Sequence, residues 1–301
     1  MNDESNPVYS FLASHGICAL EPLYSQSQIE DWNRIVDPVI KSQDLPRRYV
    51  NAQKLYELGL LSEIFSNRMR TLIAQLVPNP ELHHCHMYEI EGNQSESHIR
   101  TEDGLHGWHR DDECLPDFVL GRPNCISIFI YMTDVETPNG PFELANIPPS
   151  KAFGLIAGKP CYRMTGPAGY TFIFDRTYIH RAHPNRSAKP RRLLKLSVQP
   201  KEIANPRISL PEFVNVLQEL DDEDIYLKHL FGGSCDPGEL SKRTTEYLNM
   251  APSGVLELQE SACIEISGRK EMVTRAKNKL MAAKYDISRR IRSNQRKSNN
   301  S

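Results

Sequence analysis

The sequence WHRDD, residues 108–112, and the sequence DRTYIHRAHPNRSAKPRR, residues 175–192, decide which fold we expect. In the first stretch His109 and Asp111 are two residues apart, so in an extended segment both side chains point to the same side and can bind one ion. The second stretch supplies His180 from a distant strand. Two histidines and one carboxylate form the facial ligand set of non-haem Fe(II) oxygenases, which leaves coordination positions open. The pattern predicts an iron site in which His109, Asp111 and His180 are the metal ligands and the catalytic residues.

Other histidines lie near these positions, and sequence spacing alone does not fully exclude them as metal ligands. His183 lies near the end of the same predicted strand as His180, and spacing alone does not choose between them. His98 and His106 compete with His109 for the first ligand position. The residue two positions after His106 is a tryptophan, and only His109 has an acidic partner at that offset.

The segment between the two stretches has the pattern of a double sheet. In CISIFIYMTDV, residues 125–135, isoleucines alternate with Ser127, Phe129 and Tyr131, and neither face carries a charge between residues 125 and 131. We expect the isoleucine face to pack under helices and the other face to line a pocket. Asn139-Gly140-Pro141 predicts a turn. Short strands separated by Gly/Pro turns predict a mainly β protein with flanking α-helices and a jelly-roll, cupin-like double-stranded β-helix at its centre.

WHRD followed by H-x-x-x-P-N-R-S…R resembles the phytanoyl-CoA dioxygenase-like group of Fe(II)- and 2-oxoglutarate-dependent oxygenases, over about residues 11–200. The resemblance implies that His180 rather than His183 is the distal ligand, because Pro-Asn-Arg-Ser follows the family's ligand at the offset seen from His180. One departure is the sequence NIPPS, residues 146–150, where the family often has Pro-Gly-Ser-His. That loop borders the substrate in relatives, so the departure weakens inference about the substrate and leaves the iron site unaffected.

An arginine completes the expected site. The resemblance implies that Arg191, eleven residues after His180, binds the far carboxylate of 2-oxoglutarate, in preference to the adjacent Arg192. An arginine suits this task physically, because its fork forms two parallel charge-assisted hydrogen bonds with a carboxylate.

The chemistry that the resemblance implies uses Fe(II), 2-oxoglutarate as co-substrate and O2. We expect hydroxylation of an aliphatic C–H bond of a small, biosynthetic metabolite, with release of succinate and CO2. Asp111 favours hydroxylation, because related halogenases have a small residue there. Desaturation or cyclisation would use the same cofactor chemistry and would differ only in the fate of the substrate radical. A non-catalytic cupin-like binding protein is the alternative from another class, and Arg191 argues against it, because a pure binder needs no clamp for a keto acid.

ELHHCHMYEIE, residues 81–91, predicts a strand on which His84, His86 and Tyr88 share one face. A second metal site is conceivable there, but structural zinc requires four ligands at defined spacing, so we expect roles in packing or in lining the pocket. The remaining candidates follow from these faces. We expect the co-substrate to contact Arg191, Ser127, Phe129 and Tyr88, and the substrate to contact Trp108, Tyr131 and His86.

The flanking regions are predicted to be helical. QIEDWNRIVDPVIK follows a possible cap at Ser25 or Ser27 and places Ile29, Trp32, Ile35 and Val36 on one face. The polar segment 92–107, directly before the first ligands, is a candidate mobile cover for the site. We divide the chain into an oxygenase core, residues 1–204, and a helical C-terminal extension with a basic, partly disordered tail, residues 205–301. A homodimer through that extension is possible.

Composition restricts the class of protein. A net charge of −2 gives no general reason to expect nucleic acid as a partner. No apolar run approaches the roughly 20 residues that span a bilayer, so we expect no membrane partner. The seven cysteines include no C-x-x-C pair, and the N-terminal residues MNDESNPVY have no signal-peptide core. These features predict a cytoplasmic protein that acts on a small molecule.

Overall fold

A computed structural model of the chain describes residues 6–97, 99, 106–111, 125–148, 158–202, 210–220, 223–258 and 260–264. Its elements, in chain order, are α1 (Pro7–His15), β1 (Ile17–Leu20), α2 (Gln26–Lys41), β2 (Arg47–Asn51), α3 (Ala52–Glu57), α4 (Leu61–Ile64), α5 (Asn67–Leu76), β3 (Pro80–Ile90), β4 (Ile126–Tyr131), β5 (Phe142–Ala145), β6 (Pro160–Met164), β7 (Thr171–Asp175), β8 (His180–Ala182), β9 (Arg191–Pro200), α6 (Leu210–Glu219), α7 (Ile225–Leu230), α8 (Pro237–Leu248), β10 (Val255–Leu256) and β11 (Glu260–Cys263).

The strands form two antiparallel sheets. The larger has the order β10-β1-β7-β4-β9-β3-β2 and the smaller has the order β11-β6-β5-β8. Strand pairing alternates between distant parts of the chain: β4, for example, lies between β7 and β9. Two sheets of this kind, with helices outside them, make the predicted jelly roll, and the predicted fold class is confirmed.

The alternation in β4 separates two hydrophobic layers. Ile126, Ile128 and Ile130 belong to the cluster that contains the side chains of the helices, whereas Phe129 and Tyr131 belong to a second cluster with side chains from both sheets. Successive side chains of a strand point to opposite faces, so β4 contributes to both layers. The prediction that the isoleucine face packs under the helices is confirmed, and the expectation that the other face lines a pocket stays a prediction.

Helix α2 shows how the outer layer forms. The Ser25 side chain accepts from the backbone N–H of Gln28, and the Gln28 side chain accepts from the backbone N–H of Ser25, which is a capping box. Ile29, Trp32 and Val36 are fully buried against the larger sheet, while Ile35 is 38% exposed. The expectation that Ile35 faces the core is wrong, because the buried stripe continues instead through Ile40.

Residues after 204 contribute strands as well as helices. Strand β10 pairs with β1 at one edge of the larger sheet, and β11 pairs with β6 at one edge of the smaller sheet. The Arg70 guanidinium of α5 forms two hydrogen bonds, of 2.5 and 2.6 Å, with the Asp224 carboxylate. The described part of the extension therefore packs on both layers of the core, and the division at residue 204 stays a prediction. The basic tail and most of the second half of the segment 92–107 lie outside the described residues.

Within the described ranges, no helix combines the length and the apolar character that crossing a bilayer requires.

Candidate metal centre

The two histidines lie on adjacent pieces of backbone. The N–H of His109 donates to the carbonyl of His180, and the N–H of His180 donates to the carbonyl of His109, each at 2.9 Å. This single antiparallel bridge places the two imidazole rings 4.4 Å apart. Two backbone hydrogen bonds thus bring together His109 and His180, which are 71 residues apart in the sequence.

Hydrogen bonds orient both imidazoles in the same way. Nδ1 of His109 lies 2.8 Å from the carbonyl oxygen of Gly107, and Nδ1 of His180 lies 2.9 Å from that of Tyr178. A carbonyl oxygen only accepts, so each Nδ1 carries a proton, and in a neutral imidazole with this tautomer Nε2 keeps its lone pair. Metal-binding histidines are commonly held by such a bond on the second nitrogen.

The carboxylate of Asp111 divides its two oxygens between the histidines and an arginine. Oδ1 lies 3.9 Å from Nε2 of His109 and 4.0 Å from Nε2 of His180. Oδ2 accepts a 2.7 Å hydrogen bond from Nε of Arg176, a residue that is 1% exposed. All three potential ligand atoms lie within 4.8 Å of one another. Two imidazole nitrogens and one carboxylate oxygen match the donor set of the facial Fe(II) site.

Burial and charge give these groups the protonation states that a metal needs. Burial lowers the pKa of His180 to about 3, so the imidazole is neutral near pH 7. Burial acts to raise the pKa of Asp111, but the charge of Arg176 outweighs it and holds that pKa well below its usual range. A neutral imidazole and an ionised carboxylate can bind a cation without first losing protons.

The rival histidines lie elsewhere. The group of potential ligands contains His180 and not His183, which follows the end of β8 and whose Nδ1 lies 3.2 Å from the carbonyl of Pro184. His106 has a positive φ of 48° and an exposed side chain, and it is also outside the group. His98 is not among the described residues.

Arg191 and Arg192 point to opposite faces of β9. Arg192 is bound by carboxylates on the outer side, with 2.7 Å and 2.8 Å contacts to Glu89 and Asp37. Arg191 is 1% exposed, and its Nε has no hydrogen-bond partner among the described residues. A buried guanidinium nitrogen without an acceptor is costly, and a ligand carboxylate would relieve that cost. The donor set and this arginine therefore fit iron and 2-oxoglutarate.

The interior between the sheets holds most of the other predicted residues. Tyr88 and Phe129 are 3% and 5% exposed within the inner cluster, and His86 precedes Tyr88 by one inward position. The Ser127 hydroxyl lies 2.7 Å from that of Ser197, which lies 3.0 Å from Nδ1 of His84. Ser127 is thus part of a hydrogen-bonded chain that crosses β9.

Two residues that we expect to contact the substrate also contact other parts of the protein. Trp108 is fully buried in a separate cluster with Ala145 and Ile179, because it alternates with the inward-pointing His109. The Arg181 guanidinium lies 4.7 Å from its ring centroid. Tyr131 faces the interior, but its hydroxyl donates to the carbonyl of Met164 and accepts from the N–H of Phe142. Trp108 is not brought to the interior, and Tyr131 ties the two sheets together.

Sequence reasoning missed two charged residues of the interior. Arg176 stands directly after strand β7, and no spacing rule connects it with Asp111. Lys195 is the one charged residue in LLKLSV, and its register opposite His86 and Phe129 places it on the inward face. Arg191 and Lys195 are four residues apart in β9, and residues at this spacing lie on the same face of a strand. Alternation along β9 could therefore have predicted that Lys195 faces inward.

Comparisons with known proteins agree with the geometry of the candidate site. The family model described as phytanoyl-CoA dioxygenase (PhyH) matches residues 12–193, which is more than half of the chain. The chain is similar to an L-proline trans-4-hydroxylase of Streptomyces griseoviridis, with 24% identity over 163 residues. This similarity covers 42% of the chain and spans 57% of the hydroxylase.

Two solved structures from nogalamycin biosynthesis share the fold. The non-haem α-ketoglutarate-dependent epimerase SnoN is 14% identical, with a TM-score of 0.50, and the match covers 64% of this chain and 81% of SnoN. The non-haem α-ketoglutarate-dependent carbocyclase SnoK is 15% identical, with a TM-score of 0.50 and coverage of 72% and 91%. At such identities the likeness concerns the fold alone.

Proposed function

This chain belongs to the phytanoyl-CoA dioxygenase family of Fe(II)- and 2-oxoglutarate-dependent oxygenases, and we propose on that premise that it hydroxylates an aliphatic C–H bond of a small metabolite. The observation that carries the proposal is the convergence of His109, Asp111 and His180, whose ligand atoms lie within 4.8 Å of one another. Iron bound there would couple O2 activation to the conversion of 2-oxoglutarate into succinate and CO2.

The chain's own residues supply binding, orientation and exclusion of water. The carbonyls of Gly107 and Tyr178 hold the imidazoles with Nε2 toward the site, and Arg176 fixes one oxygen of Asp111 so that the other faces the histidines. Arg191 would bind the far carboxylate of 2-oxoglutarate, because its buried Nε lacks an acceptor. Asp111 retains the carboxylate that a hydroxylating site requires.

Aromatic rings line the candidate site. Phe174 lies 4.9 Å from the His180 ring and Phe142 lies 5.5 Å from it, between centroids. Phe129 packs on both, at 5.1 and 5.5 Å. Rings in these positions keep water from the reacting centre, which strengthens the electrostatic interactions inside it.

The first experiment measures succinate formed from 2-oxoglutarate by the purified protein with Fe(II), ascorbate and O2, across a panel of candidate substrates. We expect succinate that depends on iron and rises with one class of substrate. His180→Ala should abolish it, whereas His183→Ala serves as the matched control and should retain it. Succinate formation that survives His180→Ala would show that the ligand assignment is wrong.

The mass of the product separates hydroxylation from the alternatives. A gain of one oxygen atom supports our proposal, whereas loss of two hydrogens indicates desaturation or cyclisation. The carbocyclase with the same fold makes those outcomes worth measuring. Absence both of succinate and of 2-oxoglutarate binding would favour the non-catalytic binding protein. A homodimer and a cytoplasmic location stay predictions.

A further inference from the structure

Behind the candidate metal centre, on the outer face of the smaller sheet, an arginine packs on a tryptophan. The backbone bridge between His109 and His180 is antiparallel, so its register places Trp108 opposite Arg181. Successive side chains of extended backbone point to opposite faces. The two imidazoles therefore face the site, whereas Trp108 and Arg181 point away from it. There the guanidinium carbon of Arg181 lies 4.7 Å from the centroid of the Trp108 ring.

Arg181 contacts the first ligand segment on both sides of Gly107. Its Nη1 donates to the carbonyl of His106 at 3.2 Å, and its guanidinium stacks on the residue that follows Gly107. Between these two contacts, the carbonyl oxygen of Gly107 lies 2.8 Å from Nδ1 of His109. Arg181 thus holds the piece of backbone whose carbonyl orients a candidate metal ligand.

A buried carboxylate fixes the direction of the Arg181 guanidinium. The register of the smaller sheet aligns Arg163 of β6, Glu143 of β5 and Arg181 of β8 in one row. Nε of Arg181 donates to Oε2 of Glu143 at 2.6 Å, and Nε of Arg163 donates to Oε1 at 2.7 Å. Glu143 is fully buried and Arg181 is 8% exposed. Because the guanidinium is planar and rigid, a bond on one edge also sets the direction of its face.

The indole of Trp108 suits that face. Tryptophan attracts a cation more strongly than the other aromatic residues do, and the attraction grows where water is excluded. Trp108 is fully buried in a cluster with Ala145 and Ile179. Arg181 therefore makes three contacts at once, with a carboxylate, a backbone carbonyl and an aromatic face. A lysine has neither the flat face nor the fork that these contacts use.

We propose that Arg181 and Trp108 form an outer clamp that positions His109 and His180 for metal binding. The inference rests on the proposed function and adds two positioning residues to that same site. Trp108 precedes one candidate ligand and Arg181 follows the other, so each acts through the histidine beside it. Loss of the outer clamp should weaken metal binding more than it weakens the fold.

Binding of Ni(II) to the full chain, measured by calorimetry, tests the outer clamp. Arg181→Met should weaken Ni(II) binding about 10- to 100-fold, as for other residues that orient a metal ligand. Arg163→Met is the matched control, because it removes the other arginine of Glu143 from a strand that carries none of the three candidate ligands. It should change the Ni(II) affinity less than about threefold, as expected for an independent site. Equal losses in the two variants would overturn the inference.

A double-mutant cycle tests whether the two residues act together. Trp108→Leu removes the aromatic face and should also weaken Ni(II) binding, whereas Trp108→Phe should retain most of the affinity. The double variant with Arg181→Met should lose less than the product of the two single losses, because either change alone removes the stack. Independent, multiplicative losses would overturn the inference.

The Co(II)-loaded protein separates positioning from general destabilisation. Urea unfolding of the metal-free variants should show similar losses of stability for Arg181→Met and Arg163→Met, because each leaves Glu143 with one arginine. Only Arg181→Met should alter the visible d–d absorption of Co(II), which reports the geometry of its ligands. Unchanged absorption in Arg181→Met would overturn the positioning role.

Arg181→Lys keeps the test decisive if Arg181→Met does not fold. It retains a positive charge beside Glu143 and loses the flat face, so we expect weaker Ni(II) binding and altered Co(II) absorption here too. Failure of the unmodified protein to bind either metal would overturn the proposed function together with this inference. Tight binding by the unmodified protein that persists unchanged in Arg181→Lys would overturn this inference alone.

Discussion

At the scale of single residues, the site depends on a buried arginine that is not itself a candidate ligand. Arg176 is 1% exposed, and its Nε lies 2.7 Å from Oδ2 of Asp111. The bond holds one carboxylate oxygen away from the histidines and leaves the other oriented toward them. Arg176 is thus a positioning residue for the metal centre.

Arg176→Lys tests this role. Lysine keeps the positive charge but loses the rigid donor geometry of the guanidinium. We expect the affinity for Ni(II) to fall about 10- to 100-fold, as for other residues that orient a metal ligand. Calorimetry measures the affinity, and Arg163→Lys is the control, because Arg163 binds Glu143 on the outer face of the smaller sheet. Equal affinity in Arg176→Lys and the unmodified protein would refute the role.

Asp175 provides a prediction of pH dependence. Burial raises its pKa to about 6, although the hydroxyl and the N–H of Thr177 both donate to its Oδ1 and act in the opposite direction. An unfolded aspartate has a pKa near 3.9, so between about pH 4 and pH 6 only the folded state retains the proton. The contribution of Asp175 to stability is therefore present at about pH 4 and is lost as the pH rises to 6.

Asp175→Asn keeps the acceptor oxygen and removes the charge. We expect it to raise the free energy of unfolding at pH 7.5 by up to roughly 3 kcal/mol, since two pKa units correspond to that amount. The gain should shrink as the pH falls to 4.5. Urea unfolding of both proteins at several pH values measures the difference in their free energies of unfolding. A gain in stability that is independent of pH would contradict a raised pKa of Asp175.

At the scale of elements, the turn before β5 is packed against the connection between β8 and β9. Gly140 has a φ of 74°, and a Cβ there would lie 2.4 Å from the carbonyl oxygen of His183 and 2.8 Å from the nitrogen of Asn185. That connection joins His180 to Arg191. The Asn-Gly turn thus sets the path of the chain between two residues of the candidate site.

Gly140→Ala should lower the free energy of unfolding by about 2–5 kcal/mol, because it adds a backbone clash to the cost of a positive φ. We also expect weaker binding of 2-oxoglutarate, because Arg191 follows the displaced connection. Gly59→Ala is the matched control: its φ is also 74°, but a Cβ there would have no neighbour within 4 Å. It should cost only about 1 kcal/mol and leave 2-oxoglutarate binding unchanged. A similar loss of free energy of unfolding in both variants would show that the clash with the connection between β8 and β9 does not contribute.

At the scale of the whole molecule, the C-terminal region and the core are joined by an ion pair. The Arg70 side chain is 11% exposed and that of Asp224 is 28% exposed. Asp224 also accepts from the N–H of Leu227 and so caps α7. Strands β10 and β11 add to this connection by pairing with β1 and β6.

Arg70→Met should lower the free energy of unfolding by about 2–4 kcal/mol, because it leaves Asp224 partly buried without its counter-charge. Arg34→Met, which breaks an exposed pair with Asp31, should change it by less than about 1 kcal/mol. If the molecule unfolds as one unit, Arg70→Met shifts a single transition in which 2-oxoglutarate binding and helical signal are lost together. Two separate transitions would instead support the predicted division at residue 204.

How far the sequence predicts this molecule depends on the range of the interactions involved. Alternation in β4 and the i, i+2 relation of His109 and Asp111 are local properties, because side-chain direction follows from backbone geometry. The choice between His180 and His183, and between Arg191 and Arg192, required a family offset, since neighbouring residues give similar local patterns. Trp108 lies in a different cluster from the inner one, because successive side chains point in opposite directions and His109 points inward, so its contact with the substrate stays a prediction.

The jelly roll, the two faces of its central strand and the residue types of a facial iron site can be predicted from the amino-acid sequence alone. These depend on periodicity and on the chemistry of individual side chains. Three relations are visible only in the folded molecule: Arg176 orients Asp111, Tyr131 connects the two sheets, and Lys195 lies level with His86 and Phe129. Those relations join residues that are tens of positions apart, and strand register and packing, which no local pattern encodes, bring them into contact.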